Sequence, residues 1–135
     1  MASSSNSTIS GVTSPATSQN AVKATGINHL HLNVRDIDRA VHFYQEAFGL
    51  KESFRTGGIV FLEPEGRGDS LALHQAEPVG LHGVQHFGFR LNVHDLDAAI
   101  AQVERAGGKL VSRGKHGGQF PYAYVADPDG YVIEL

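Results

Sequence analysis

Two segments of the chain alternate strictly between polar and apolar residues. In His29–Val34 the two histidines and the asparagine fall on one face, and three aliphatic residues fall on the other. His86–Leu91 alternates in the same way and also begins with a histidine. A period of two residues is typical of a strand with one buried face. We therefore predict that a half-buried strand opens each half of the chain.

An apolar series at helical spacing follows each of these strands. Asp36 and Asp95 precede the two series, and aspartate is a favoured helix N-cap. Gly49 ends the first series and Gly107-Gly108 ends the second, as is typical of helix C-termini. We predict one amphipathic helix in each half, with inner stripes formed by Ile37, Ala40, Val41, Tyr44 and Phe48 and by Leu96, Ala99, Ile100, Val103 and Ala106.

The two halves also repeat one another in sequence. Asn33–Ala40 reads NVRDIDRA, and Asn92–Ala99 reads NVHDLDAA. Three more strands are predicted after each helix, at Leu50–Arg55, Gly58–Glu63 and Ser70–Gln75, and at Lys109–Arg113, Pro121–Ala126 and Tyr131–Leu135.

This repeat predicts an α+β fold of two tandem βαβββ modules. The first module is expected over 26–78 and the second over 82–135, within one domain over 25–135. A lone module would leave one face of its sheet bare. We therefore expect the modules to pair, so that a curved mixed sheet surrounds a metal cavity and the helices lie outside.

The composition limits the kinds of partner and site. The chain has 135 residues, a net charge of −3, eight histidines and no cysteine. Mixed charges without a basic patch argue against nucleic acid or an anionic membrane as a partner. A metal ion would have to be held by nitrogen and oxygen ligands, because no thiolate is available. We expect a small-molecule substrate and, by default, a symmetric homodimer.

Residues 1–24 differ in composition from the rest of the chain. They are rich in Ser, Thr and Asn, with no cationic start and no apolar run of signal-peptide length. We interpret them as a disordered leader, and we expect a cytoplasmic protein.

Two histidines and one carboxylate are the candidate metal ligands. His29 and His86 each open the first strand of a module, and Glu134 lies on the last predicted strand. If pseudo-twofold pairing brings them together, they would hold a divalent metal and leave positions open for a substrate. The alternative is that each histidine is a buried, hydrogen-bonded core residue.

Several motifs resemble the vicinal oxygen chelate (VOC) superfamily, which includes glyoxalase I, bleomycin-resistance proteins and extradiol dioxygenases. The resemblance covers roughly residues 26–135 and rests on His29-x-x-x-x-Val34-x-Asp36, Phe43-Tyr44 with Gly49-Leu50, His86–Phe89, and Asp127-Pro-Asp-Gly130 with Glu134. The C-terminal part is most similar to type I extradiol dioxygenases, through Gly114-x-His116, Ala123-Tyr124, Asp127-Pro128 and Glu134. The departure is Ala123, where that subfamily has a larger aliphatic residue.

Three further residues are candidates for catalysis. His74 matches the acid/base histidine of the resembled subfamily, and otherwise it is a fourth ligand or a surface residue. Tyr124 is predicted to face the cavity and stabilise charge on a substrate oxygen, unless it is a buried tyrosine with its own hydroxyl satisfied. His116, in a glycine-rich loop, is either a lid donor or solvated. His31 lies on the same strand face as His29 and is a candidate to orient the ligands, whereas His42, His82 and His94 are expected to be exposed.

The resemblance implies an iron(II) extradiol-type dioxygenase that cleaves a small catechol-like aromatic. The first alternative is a glyoxalase-like isomerase or lyase that uses nickel, zinc, manganese or cobalt. That alternative predicts a second carboxylate ligand near Ala72–His74, where the sequence offers none. The second alternative is a ligand-binding protein that resembles bleomycin-resistance proteins.

Overall fold

The computed structural model describes residues 23–79, 83–92 and 94–135. The leader predicted over 1–24 lies outside these ranges except for residues 23 and 24, and so does His82. Within the described ranges the chain forms two helices and eight strands. None of the helices in this part of the chain is long and apolar enough to cross a membrane.

The first module is a four-stranded sheet with one helix. Its elements are β1 (His29–Val34), α1 (Ile37–Phe48), β2 (Lys51–Thr56), β3 (Ile59–Glu63) and β4 (Ser70–Gln75). The strand order is β1-β4-β3-β2, with β1 parallel to β4 and the other neighbours antiparallel. In β1 the aliphatic residues are the more buried set, so the predicted alternation is confirmed.

The second module repeats this arrangement. Its elements are β5 (Phe87–Gly88), α2 (Leu96–Arg105), β6 (Lys109–His116), β7 (Phe120–Ala126) and β8 (Val132–Glu134). The strand order is β5-β8-β7-β6, and again only the first strand runs parallel to its neighbour. The predicted α+β fold of two tandem βαβββ modules is therefore confirmed, with two four-stranded sheets.

Both helices begin and end where the sequence predicts. The Asp36 carboxylate accepts a hydrogen bond from the Arg39 N–H, and Asp95 accepts one from the Ala98 N–H, as helix N-caps do. Gly49 ends α1 in the left-handed conformation at φ 66°, and its N–H donates to the Gln45 carbonyl.

The two modules pack together through their helices. α1 lies on β3 and β4, α2 lies on β6 and β7, and the helices contact each other. The chain just after α2 approaches α1 closely at Gly108, where a Cβ would lie 2.5 Å from a Val103 methyl carbon and 2.8 Å from the Phe43 ring. The Gln102 amide also donates to the carbonyls of Glu46 and Ala47. The candidate site lies on the sheet faces that the helices do not cover.

Two strands differ from their predicted lengths by three residues or more. β5 was expected over His86–Leu91 but spans only Phe87–Gly88, because its neighbour β8 is short and pairs with it at two positions. β6 was expected to end at Arg113 but continues to His116. His116 is thus the last residue of a strand, and the glycine-rich loop begins only after it. Gly117 and Gly118 both have positive φ, which is typical of a tight hairpin turn.

Candidate metal and substrate site

One carboxylate contacts two histidines on the open face of the second sheet. Glu134 Oε2 lies 2.9 Å from His86 Nε2, and Glu134 Oε1 lies 2.8 Å from His116 Nε2. The side chains of His86 and Glu134 are 26% and 28% exposed, so neither is a buried core residue. The exposure of its side chain, and not its contacts, argues against the alternative that His86 is a buried core residue.

Strand pairing positions these groups side by side. Glu134 on β8 pairs with Tyr124 on β7 and with Gly88 on β5. His86 directly precedes β5. Gly88 leaves room for β8, because a Cβ on Gly88 would lie 2.8 Å from the Glu134 carbonyl oxygen.

The surroundings of Glu134 favour its ionised form. The hydrogen bond with His116 is the main cause that lowers the pKa of the Glu134 carboxyl, while partial desolvation opposes this shift and the charges on His86 and His116 add to it. Desolvation, followed by the charges on Glu134 and Tyr122, raises the pKa of the Tyr124 phenol. The site therefore offers a carboxylate acceptor beside a phenol that stays protonated and can donate.

Two tyrosines extend the site along β7. The Tyr124 ring lies 4.9 Å from the His86 ring, and the Tyr122 ring lies 5.2 Å from the Tyr124 ring. The Tyr122 ring stacks on His116 at 4.1 Å with an angle of 22° between the planes. The period-two spacing of Tyr122 and Tyr124 predicts that both lie on one strand face, but it assigns no role to Tyr122.

The other predicted site residues lie in the first module. His29 is exposed, and its Nδ1 lies 2.8 Å from the Asn28 side-chain oxygen. It lines a groove of about 730 Å³ with Phe87 and Gly88, and the described residues that line this groove do not include His86 or Glu134. The core alternative is wrong for His29 as well.

His74 is half-buried and packs against His31, with the ring centroids 5.8 Å apart and the rings perpendicular. His42 and His94 are exposed, as predicted. The described part of the chain thus separates the three candidate catalytic residues: Tyr124 and His116 lie near Glu134, and His74 lies beside His31.

The predicted ligand triad does not converge within one chain. Residues 23–79, 83–92 and 94–135 contain no group of three or more His, Asp or Glu side chains placed to hold a metal ion. Although Glu134 contacts two imidazoles, it does so through opposite oxygens, so the three groups do not point at one centre. His86 and Glu134 form a pair, and a metal ion held there would need a third ligand from elsewhere.

The His86–Glu134 pair has a spacing that suits two ligands of one metal. With metal–ligand distances of about 2.0–2.2 Å, two ligands at right angles lie about 3 Å apart. The observed separation is 2.9 Å. In addition, His86 Nδ1 is buried without a hydrogen-bond partner among the described residues. Metal-bound histidines usually donate through the second ring nitrogen, so this atom is one place where the pair departs from a complete site.

A buried polar cluster holds the turn that leads into β8. The Asp127 side chain accepts hydrogen bonds from the Tyr44 hydroxyl at 2.7 Å and from the backbone N–H groups of Asp129 and Tyr131. Burial raises the pKa of Asp127. The Tyr131 hydroxyl donates to the Asn33 carbonyl at 2.7 Å. These bonds tie α1 and β1 of the first module to the strand that carries Glu134.

Comparisons with known proteins agree with this fold. Residues 26–135 match the family model described as the Glyoxalase/Bleomycin resistance protein/Dioxygenase superfamily. The chain is 30% identical to a lactoylglutathione lyase from Haemophilus influenzae over 81% of its own length and 90% of that protein. It is 32% identical to a probable chloroplastic lactoylglutathione lyase from Arabidopsis thaliana, over 79% of the chain but only 34% of that longer protein.

Among solved structures, the chain resembles the fosfomycin resistance protein FosX from Listeria monocytogenes. The TM-score is 0.70 at 18% identity, with coverage of 84% of this chain and 93% of that chain. At this identity the likeness concerns the fold.

Proposed function

The chain belongs to the Glyoxalase/Bleomycin resistance protein/Dioxygenase superfamily, and we propose that it is a divalent-metal enzyme of the glyoxalase-like kind. In this proposal it rearranges or cleaves a small oxygenated substrate without consuming oxygen. The observation that carries the proposal is the His86–Glu134 pair, whose 2.9 Å separation suits two ligands of one metal. The similarity to lactoylglutathione lyases supports the same class of reaction.

His86 and Glu134 would hold the metal, with His29 as the third ligand. A bound divalent ion would act as a Lewis acid on a substrate oxygen. Because His29 of the same chain lies outside the His86–Glu134 pair, we propose that it comes from a second copy in a symmetric dimer. The ligand set would then be two imidazoles and one carboxylate.

The chain's own side chains would supply binding and proton transfer. Tyr124 would donate a hydrogen bond to a substrate oxygen, since its phenol remains protonated beside Glu134. His116 lies at the edge of the site with a side chain 57% exposed, so it can exchange protons with both solvent and substrate. Glu134 keeps His116 oriented through the 2.8 Å contact.

The glyoxalase-like alternative now has better support than an iron(II) extradiol dioxygenase. The relatives named above are lactoylglutathione lyases. The motif shared with extradiol dioxygenases also has a packing explanation, because Gly114 makes room for Tyr122 and Asp127 caps a turn. One feature still separates this chain from the glyoxalase-like prediction: the strand near Ala72–His74, where a second carboxylate was expected, holds no acidic residue, and Ala72 is fully buried.

The test is a metal and activity panel. Purified protein would be loaded separately with nickel, cobalt, zinc, manganese and ferrous iron, and assayed with a hemithioacetal and, anaerobically then aerobically, with catechols. We expect metal-dependent turnover of an oxygenated substrate without oxygen uptake. Oxygen uptake with catechols and no hemithioacetal turnover would contradict the proposal and support the dioxygenase hypothesis. His42→Ala, on the exposed side of α1, serves as a control that should behave as wild type.

The dimer has a separate test by complementation. His29→Ala and Glu134→Gln should each lose metal binding and activity when purified alone. After co-refolding, mixed dimers should recover one intact site, so a statistical mixture should regain about a quarter of wild-type activity. A mixture as inactive as its parents, with mixed dimers demonstrated, would contradict a site shared between copies.

A further inference from the structure

Gly114 lies directly beneath an aromatic ring. It pairs with Tyr122 across the β6–β7 hairpin, and a Cβ built on it would lie 2.8 Å from the Tyr122 hydroxyl oxygen and 3.0 Å from its Cζ. The backbone of Gly114 is not in the left-handed region, so no turn demands glycine there. Space for the ring is the physical reason for the missing side chain.

In that position Tyr122 fixes the plane of His116. The two rings are 4.1 Å apart and nearly parallel, and His116 Nε2 lies 2.8 Å from Glu134 Oε1. The His116 side chain is more than half exposed, so without the stack it could occupy several rotamers at little cost. The stack restricts the imidazole to the orientation that reaches Glu134.

The first module lacks this arrangement at the matching place. The third strand pair from its hairpin turn is Phe54–Phe61, with the rings 5.9 Å apart. The third pair in the second module is Gly114–Tyr122. The residue before the turn is Thr56 in the first module and His116 in the second. The glycine, the tyrosine and the histidine occur together only in the module that carries Glu134.

We propose that Gly114 and Tyr122 are positioning residues that hold His116 against Glu134 Oε1. The other carboxylate oxygen, Oε2, is thereby left facing His86. This inference rests on the proposed function for its consequence, because it assigns Oε2 as the oxygen that Glu134 presents to a metal. The placement of His116 itself does not depend on a metal being bound.

The first measurement uses metal-free protein. The ring protons of His116, assigned by NMR, should be shifted upfield by the stacked Tyr122 ring. The shift should persist in Tyr122→Phe, which keeps the ring, and disappear in Tyr122→Ala and Gly114→Ala. Gly68→Ala is the matched glycine control, because a Cβ there meets nothing within 4 Å. An unshifted His116 in the wild type, or a shift that survives Tyr122→Ala, would overturn the proposal.

The second measurement is metal affinity by cobalt(II) titration of the same variants. Residues that orient ligands typically cost about 10–100-fold in affinity when removed, so we expect about a 10-fold loss for Tyr122→Ala and Gly114→Ala. Tyr122→Phe and the first-module control Phe54→Ala should stay within about twofold of wild type. Wild-type affinity in Tyr122→Ala and Gly114→Ala would contradict the role in presenting Oε2.

The two measurements separate the inference from the proposed function. If wild type binds no metal while the His116 shift follows the predicted pattern, the positioning of His116 stands and the proposed metal site fails. If metal binds tightly and the shift is absent, the reverse holds. Circular dichroism and thermal unfolding confirm that each variant is folded before either result is interpreted.

Discussion

The two modules have the same backbone arrangement, but the side-chain sizes are reversed where the first strand of each module pairs with the last. In the first module His31 pairs with Ala72, so a large residue on the opening strand faces a small one. In the second, Gly88 pairs with Glu134, so a small residue faces a large one. The repeat therefore conserves the fold, while the carboxylate is found in one module only.

The histidines that open the two modules also have different surroundings. His86 contacts Glu134 and lies beside Tyr124, whereas His29 is exposed and contacts its neighbour Asn28. Duplicating a histidine has not duplicated a site. The second module holds the contacts of Glu134 with His86 and His116. The first module supplies packing and, in our proposal, one ligand to another copy.

Removing the Glu134 carboxylate should have the largest effect, because this carboxylate is what distinguishes the second module from the first. Glu134→Gln keeps the size of the side chain but removes its charge, so we expect metal affinity to fall about 100-fold or more, beyond the loss typical of residues that only orient ligands. Cobalt(II) titration measures this. Glu65→Gln is the control, because Glu65 is an exposed partner of Lys51 in the first module. Equal affinity in wild type and Glu134→Gln would remove Glu134 from the site.

The contact between modules should be next in size. Tyr44→Phe leaves the buried Asp127 carboxylate without its hydroxyl donor, and an unsatisfied buried group costs about 1–3 kcal/mol. Urea unfolding should show a loss of about 2 kcal/mol in the free energy of unfolding. Tyr122→Phe, which removes a hydroxyl from an accessible strand face, should change it by less than about 0.5 kcal/mol. Equal losses in the two variants would show that the Asp127 contact is not special.

Gly88→Ala tests the inverted size pattern directly. The added Cβ would lie 2.8 Å from the Glu134 carbonyl oxygen, so β5 and β8 have to separate. We expect about a 10-fold loss of metal affinity, like that of other changes that misplace a ligand. Gly68→Ala is again the control. If Gly88→Ala binds metal as wild type does, the close approach at Gly88 is not needed to place Glu134.

The sequence predicted the fold more fully than the site. Periodicity and caps such as Asp36 and Gly49 are local signals, so the helices could be located within a residue or two. The contacts of Glu134 depend on which strands become neighbours. The sequence predicts a loop at His116 because two glycines follow it, whereas β6 continues to His116. The role proposed for Gly114 could not be predicted from the sequence, since it depends on the cross-strand position of Tyr122.

His29 shows the limit of the repeat as evidence. Each histidine begins the alternating strand pattern of its module in the sequence, yet the structure gives the two different surroundings. A repeated motif predicts equivalent backbone positions, whereas a metal site needs side chains from several strands, and those differ at positions 72 and 134. The ligand assignment for His29 stays a prediction that complementation can decide.

The smallest expected effect is the pH dependence of the Asp127 cluster. Burial raises the pKa of Asp127 above the ordinary 3.8 in the folded state, so the folded state binds this proton more tightly than the unfolded state does. Its stabilising contribution is then full below pH 3.8 and is lost as the pH rises through the folded pKa. Asp127→Asn cannot titrate, so the free energy of unfolding of wild type minus that of Asp127→Asn should increase as the pH falls from 7.5 toward 4. Urea unfolding at several pH values measures this difference, and His42→Asn controls for general acid effects. A difference that shrinks on acidification would mean that the hydrogen bonds from Tyr44, Asp129 and Tyr131 outweigh burial.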